Sequence, residues 1–178
     1  MPDDQNLLNG KHIVIIEDER HVRDLEERIL FMSGAETHSF YSAPLAYQFL
    51  QNPTFPVDGI LTDVVIGSVN GIEYLNEMLQ AKKWIPTVIA SGSQASKQML
   101  MLFEQGYAVE GNHLPLGLVL KRPSDFAANL INRLSMVINA PSFDYEKINK
   151  SLTVVRNTAQ DFLSKSEKFI SKLHLTIR

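Results

Sequence analysis

His12-Ile13-Val14-Ile15-Ile16-Glu17-Asp18-Glu19 is the stretch whose reading decides the fold of this chain. Four β-branched apolar residues follow His12 without polar alternation. Such a run fits a strand buried on both faces, as in a parallel sheet covered by helices. The acids that follow stand at its carboxyl end, which is where open α/β sheets bind their ligands.

Outward from this strand, apolar runs alternate with helical patterns. Residues 21–32 carry Val22, Leu25, Ile29 and Met32 at helical spacing, ended by Gly34. Glu36 to Tyr41 is a weaker strand, and Ser42 is placed to cap a short helix through Phe49. Gly59-Ile60-Leu61-Thr62 is a third strand ending at Asp63, and Ile72, Leu75 and Leu79 mark the next helix. Pro86 opens a fourth strand, Thr87-Val88-Ile89-Ala90, which ends at Ser91-Gly92. A Met- and Leu-rich helix is expected over roughly 94–105, stopping at Gly106. Leu116 to Leu120 is the fifth strand, followed by Lys121, and Ser124 caps a last helix carrying Phe126, Leu130, Leu134 and Val137. Five strands alternating with five helices predict a doubly wound α/β sandwich. Right-handed crossovers and the usual switch point give a five-stranded parallel sheet of order 2-1-3-4-5.

The bulk numbers agree with a globular chain. Its 178 residues are 44 % hydrophobic and 21 % charged, too apolar for disorder. The formal charge of −3 argues against a nucleic-acid binder, which shows as a strongly basic domain. No Cys is present, which excludes disulfides, thiolate metal sites and a cysteine nucleophile. Apolar runs are too short to span a membrane and Pro2-Asp3-Asp4 is unlike a signal peptide, so a cytoplasmic protein is expected. Charge divides the chain. Residues 1–139 hold ten Lys and Arg against sixteen Asp and Glu, whereas 140–178 hold seven against four. With Ala140-Pro141-Ser142 at the change, the reading is an acidic main domain over 1–139 and a mildly basic helical extension over 140–178.

The predicted strand ends bring Glu17-Asp18-Glu19, Asp63, Ser91-Gly92 and Lys121 to one rim. Carboxylates crowded in this way repel unless a cation neutralises them. A hard divalent ion, Mg²⁺ in a cell, suits an all-oxygen site with open water positions. In-line attack by Asp63 on phosphorus would give an acyl phosphate, with Lys121, Ser91 and the metal sharing the developing charge. Taken singly, each residue has a plainer reading. An acidic triplet after a strand often serves a helix N-terminus, and Ser-Gly is an ordinary turn. The joint placement at the correct strand ends carries the argument. His12, His21, His38 and His113 lack acid-rich metal spacing and are read as packing or solvated residues.

Glu17-Asp18-Glu19 after Ile13–Ile16, Asp63 with Gly71 eight residues on, Ser91-Gly92, and Lys121 close before Pro123 together resemble a response-regulator receiver domain over about residues 11–139. The resemblance implies a flavodoxin-like fold and transfer of a phosphoryl group from a histidine kinase, or a histidine phosphotransfer protein, to Asp63. It implies that Glu17, Asp18, Asp63 and the main-chain carbonyl of Val65 hold Mg²⁺, that Ser91 contacts the phosphoryl group, and that Lys121 pairs with it. No turnover enzyme domain is expected. The side chain two positions after the aspartate is the apolar Val65, which offers an attacking water no hydrogen bond, so a long-lived phosphoform is expected.

The chain departs from the family pattern in several places. Ile66-Gly67 replaces the usual Met-Pro. The reading Lys121-Arg122-Pro123 leaves two options: Lys121 keeps the lysine role with one residue inserted, or Arg122 takes it. Lys121 is favoured because it follows the apolar strand without interruption. Leu118 stands where an aromatic switch residue is common, and Tyr107 to Pro115 reads as an enlarged loop.

The extension carries Leu152, Val155, Ala159, Phe162, Ser166, Phe169 and Leu173 at alternating steps of three and four, a helical seam. It must bury itself against its own receiver, a twin or a partner, and a homodimer through 150–177 is the expectation adopted. Its lysines lack the aromatic interleaving of single-strand binders, so no direct nucleic-acid or membrane contact is expected. Two enzymatic rivals fit poorly. A haloacid-dehalogenase-like phosphatase needs Asp-x-Asp after strand 1, and a topoisomerase–primase-type domain needs it after strand 3. The stronger alternative is a receiver-like interaction module that works without phosphorylation.

Overall fold

The computed structural model describes residues 7–66, 69–70, 73–92, 116–121, 124–140, 144–157 and 164. The helix expected over 94–105, the loop at 107–115, Arg122 with Pro123, and most of the seam beyond Val155 lie outside these residues. The elements in chain order are β1 (His12–Ile16), α1 (Arg20–Met32), β2 (Glu36–Phe40), α2 (Ala43–Gln51), β3 (Gly59–Asp63), β4 (Val65–Ile66), β5 (Val69–Asn70), α3 (Glu73–Gln80), β6 (Thr87–Ser91), β7 (Leu116–Leu120), α4 (Phe126–Ile138) and α5 (145–157).

The main sheet is all parallel with the order β2-β1-β3-β6-β7, which is the 2-1-3-4-5 order of its five strands. A small antiparallel hairpin of β4 and β5, not foreseen from the sequence, branches off after Asp63. Along each strand, successive side chains go to opposite faces. Val14, Ile16, Ile60, Ile89, Leu116 and Leu118 join one buried cluster with residues of α2 and α3. Ile13, Ile15, Leu61, Val88, Ala90 and Val119 join another with Leu30 of α1 and Phe126, Leu130, Leu134 and Val137 of α4. Two-sided burial is why β1 reads as an unbroken apolar run. Close approach of α4 to the sheet needs Gly117, where an added Cβ would lie 2.6 Å from Arg133 Cγ and 3.2 Å from Val137 Cγ1.

Three local expectations need correction. On α1, Leu25 is 51 % and Met32 71 % exposed, while Glu26 and Leu30 are buried, so the helix is turned away from the apolar stripe read in the sequence. The cap residue of α4 is Asp125, not Ser124. Ser42 does precede α2, but its side chain makes no capping hydrogen bond and the helix runs on to Gln51. Gly34, at φ +85°, ends α1 as expected: Gly34 N–H bonds Phe31 O and Ala35 N–H bonds Leu30 O.

The first turns of the extension fold back on the sheet. Ile148, Leu152 and Val155 of α5 are fully buried in the cluster that contains Ile89, Leu116 and Leu118. Tyr145 Oη donates to Lys82 O at 3.0 Å beside them. Leu152 and Val155, the first two seam positions, are therefore covered by the chain's own sheet. Among the described residues, no helix is long and apolar enough to cross a membrane.

Candidate functional site

Strand register assembles the site. Ile16 pairs with Thr62, so Glu17 and Asp63 leave β1 and β3 at the same level. Asp63 pairs with Ala90, and Ser91 with Leu120, so Ser91 and Lys121 arrive beside them. Lys121 N–H then bonds Ser91 O at 3.0 Å, fixing where the lysine stem starts.

The lysine ammonium is the hub. Lys121 Nζ donates to Asp63 Oδ2 at 3.2 Å and to Glu17 Oε2, and Glu26 Oε1 stands 3.4 Å away. Glu17 is 1 % exposed, and its other oxygen accepts from Glu19 N–H at 3.0 Å, which folds the acidic triplet around its own carboxylate. Asp63 Oδ1 accepts from Val64 N–H. Arg23 Nη1 reaches back from α1 to Glu17 O at 2.7 Å and Asp18 O at 3.4 Å, tying that helix to the triplet. Asp18 is exposed at the rim, and Ser91 is buried at the end of β6.

Burial governs the electrostatics. It pushes the Glu17 carboxyl above the usual range, with the Lys121 ammonium opposing it. Glu26 is pushed up to about 7 by the same burial, reinforced by Glu17 and only partly offset by Lys121. Burial would lower Lys121, but the carboxylates of Glu26, Asp63 and Glu17 together outweigh it and hold the ammonium above its ordinary range. The site is thus a buried cation shared among three acids, with a fourth acid at its mouth.

Of the residues singled out in the sequence, Glu17, Asp63 and Lys121 are brought into direct contact. Asp18, Ser91 and the backbone of Val65 lie next to them in the chain or across the register. Two others were missed. Arg23 carries no motif in the sequence that marks its reach to the backbone of Glu17 and Asp18. Glu26 shares a four-four-three stripe with Val22, Leu30 and Ser33, a signal that was present but outweighed by the more apolar Leu25 and Met32. His12 and His38 lie apart from this site, Nδ1 to Nε2 at 3.4 Å, with Phe55 stacked 3.9 Å from the His38 ring.

The donor set of Glu17, Asp18 and Asp63 is all oxygen and anionic, which fits a hard divalent cation in chemistry. Glu17 and Asp63 each direct an oxygen to Lys121, and among the described residues no three acids or histidines are arranged around a common metal position. Each of those two carboxylates has a second oxygen, which accepts a single backbone N–H bond and keeps a lone pair for a cation.

The family model described as response regulator receiver domain matches residues 13–108, just over half of the chain. That match stops before β7, so the fold rather than the family model places Lys121. No curated protein matches the sequence. A solved response regulator receiver domain protein from Clostridium thermocellum is similar at 17 % identity and a TM-score of 0.57, over 72 % of this chain and 94 % of its own. A response regulator receiver protein from Sinorhizobium medicae shares 21 % identity with a TM-score of 0.57, over 76 % and 99 %. A Francisella response regulator receiver domain shares 15 % with a TM-score of 0.55, over 72 % and 97 %. At these identities the likeness speaks for the fold.

Proposed function

Because the chain belongs to the response regulator receiver domain family of two-component signalling, we propose that it accepts a phosphoryl group on Asp63 and signals through altered protein contacts. The observation that carries this reading is the contact of Lys121 Nζ with Asp63 Oδ2 at 3.2 Å, at the carboxyl ends of β3 and β7. A carboxylate oxygen of Asp63 attacks the phosphorus of a phosphohistidine on a kinase or phosphotransfer protein. The new P–O bond forms as the P–N bond breaks, and the departing imidazole keeps its proton. Lys121 turns its ammonium from the Asp63 carboxylate to the phosphoryl oxygens, and Ser91 offers its hydroxyl from the end of β6.

Glu17, Asp18, Asp63 and the Val65 carbonyl are the groups that would hold Mg²⁺. When bound, the ion supplies positive charge that relieves repulsion among the carboxylates and steadies the phosphoryl oxygens. Burial of Glu17 and Glu26 raises the need for that charge, since one lysine faces three acids.

Incubation with acetyl phosphate and Mg²⁺, followed by intact mass, tests the reading. One phosphoryl mass is expected on the wild type and none on Asp63→Asn, which keeps the shape but cannot form the acyl phosphate. An unmodified wild type would leave the phosphorylation-independent module in its place, and an Asn variant labelled equally would overturn Asp63 as the acceptor.

A further inference from the structure

Glu26 is the unusual acid of the site. It comes from a helix rather than a strand end, and it is 1 % exposed while its neighbour Leu25 is 51 % exposed. Helix α1 thus faces a carboxylate inward where an apolar side chain was at hand. Its Oε1 is buried and accepts no hydrogen bond from the described residues, and the charge set against it is Lys121 Nζ at 3.4 Å. Glu17 and Asp63 differ in kind. Each lies at a strand end and has a further backbone donor on its other oxygen, Glu19 N–H and Val64 N–H respectively. An ionised carboxylate left alone in such burial is costly, so removing the ammonium from Glu26 is opposed.

We propose that Glu26 is a positioning residue that holds the Lys121 ammonium on the α1 side of the site, in competition with phosphoryl oxygens on Asp63. The competition rests on the acceptor reading; the holding of the lysine does not. Glu26 thereby acts as a brake. Phosphorylation draws Lys121 outward, and each increment of that movement strips the buried Glu26 of its counter-charge. The rise of the Glu26 pKa to about 7 fits an acid whose counter-charge only partly offsets burial.

Glu26→Gln keeps the shape and removes the charge, so two measurements on the full chain separate the parts. Amine labelling with acetic anhydride, read peptide by peptide, reports how firmly Lys121 is held. Lys121 is expected to label about tenfold faster in Glu26→Gln, because an ammonium no longer held toward α1 is freer to move and to react. Lys150, whose side chain is 72 % exposed, serves as the reference and should not change. With acetyl phosphate and Mg²⁺ at fixed concentrations, the ratio of phosphorylated to unmodified chain is expected to rise by a similar factor. Unchanged Lys121 labelling overturns the positioning role, as does a rise matched by Lys150, which would mean general loosening. Faster labelling with an unchanged or lower phosphorylated ratio overturns the competition. A wild type that takes no phosphoryl group overturns the acceptor reading itself, while the labelling result still decides whether Glu26 holds the lysine.

Discussion

Asp63 and Lys121 are 58 positions apart in the chain, and Lys121 Nζ lies 3.2 Å from Asp63 Oδ2. The contact is made by strand register alone: β3 pairs with β6 and β6 with β7, so both strands end at one level. No local feature of either segment encodes it. An ion pair this far inside the fold is costly to leave half-made, which couples the chemistry of the site to the integrity of the sheet.

Replacing Asp18 by Asn removes a formal charge from the mouth of the site without touching the buried pair. Mg²⁺ affinity, followed by titration of a nearby fluorophore or by calorimetry, is expected to fall about tenfold or more, and phosphorylation by acetyl phosphate should fall with it. An unaltered Mg²⁺ titration would place the cation elsewhere.

On α1, the two leucines should behave oppositely. Leu30 is fully buried, so Leu30→Ala is expected to cost about 2–5 kcal/mol in urea unfolding. Leu25, half in water, should cost within about 0.5 kcal/mol on replacement by Ala. A larger loss at Leu25 than at Leu30 would mean that the helix is turned the other way.

Leu152 tests the docking of α5. It is fully buried in the cluster that holds Leu116 and Leu118, and Leu152→Ala is expected to destabilise the whole chain by about 2–5 kcal/mol in one cooperative transition. A separate early transition, or no loss, would show that α5 is not part of the core.

Glu26 also sets a pH dependence. Its folded pKa, about 7, stands above the ordinary value of 4.5, so between these values the folded state binds more protons than the unfolded one. Stability contributed by this group is therefore present below about 4.5 and lost as pH rises toward 7, by up to ~3 kcal/mol. Burial shifts Glu17 in the same direction. Urea midpoints of wild type and Glu26→Gln at pH 5 and pH 7.5 check the sign: the advantage of the variant should grow with pH. A constant difference would show that Glu26 does not titrate across this window.

By itself the sequence determined the five strands of the main sheet, their order and the acids at its rim. Ile13–Ile16, Ile60-Leu61 and Leu116–Leu120 are apolar on both faces, and only a parallel sheet covered by helices on both sides satisfies such strands. Strand ends then dictate the rim, which is why Glu17, Asp63, Ser91 and Lys121 could be named before any coordinates. Tertiary structure decided the rest. The stripe of Leu25 and Met32 is as apolar as a buried face, but α1 had to pack between β2 and α4 with Arg23 on the backbone of the acidic triplet, and that rotation put Glu26 inside. Likewise the seam beginning at Leu152 and Val155 carries no mark of its partner. An apolar stripe specifies that it will be buried, not against what, because the hydrophobic effect is non-directional. Here the face of the sheet that carries Ile89, Leu116 and Leu118 shares its buried cluster with Ile148, Leu152 and Val155 of α5.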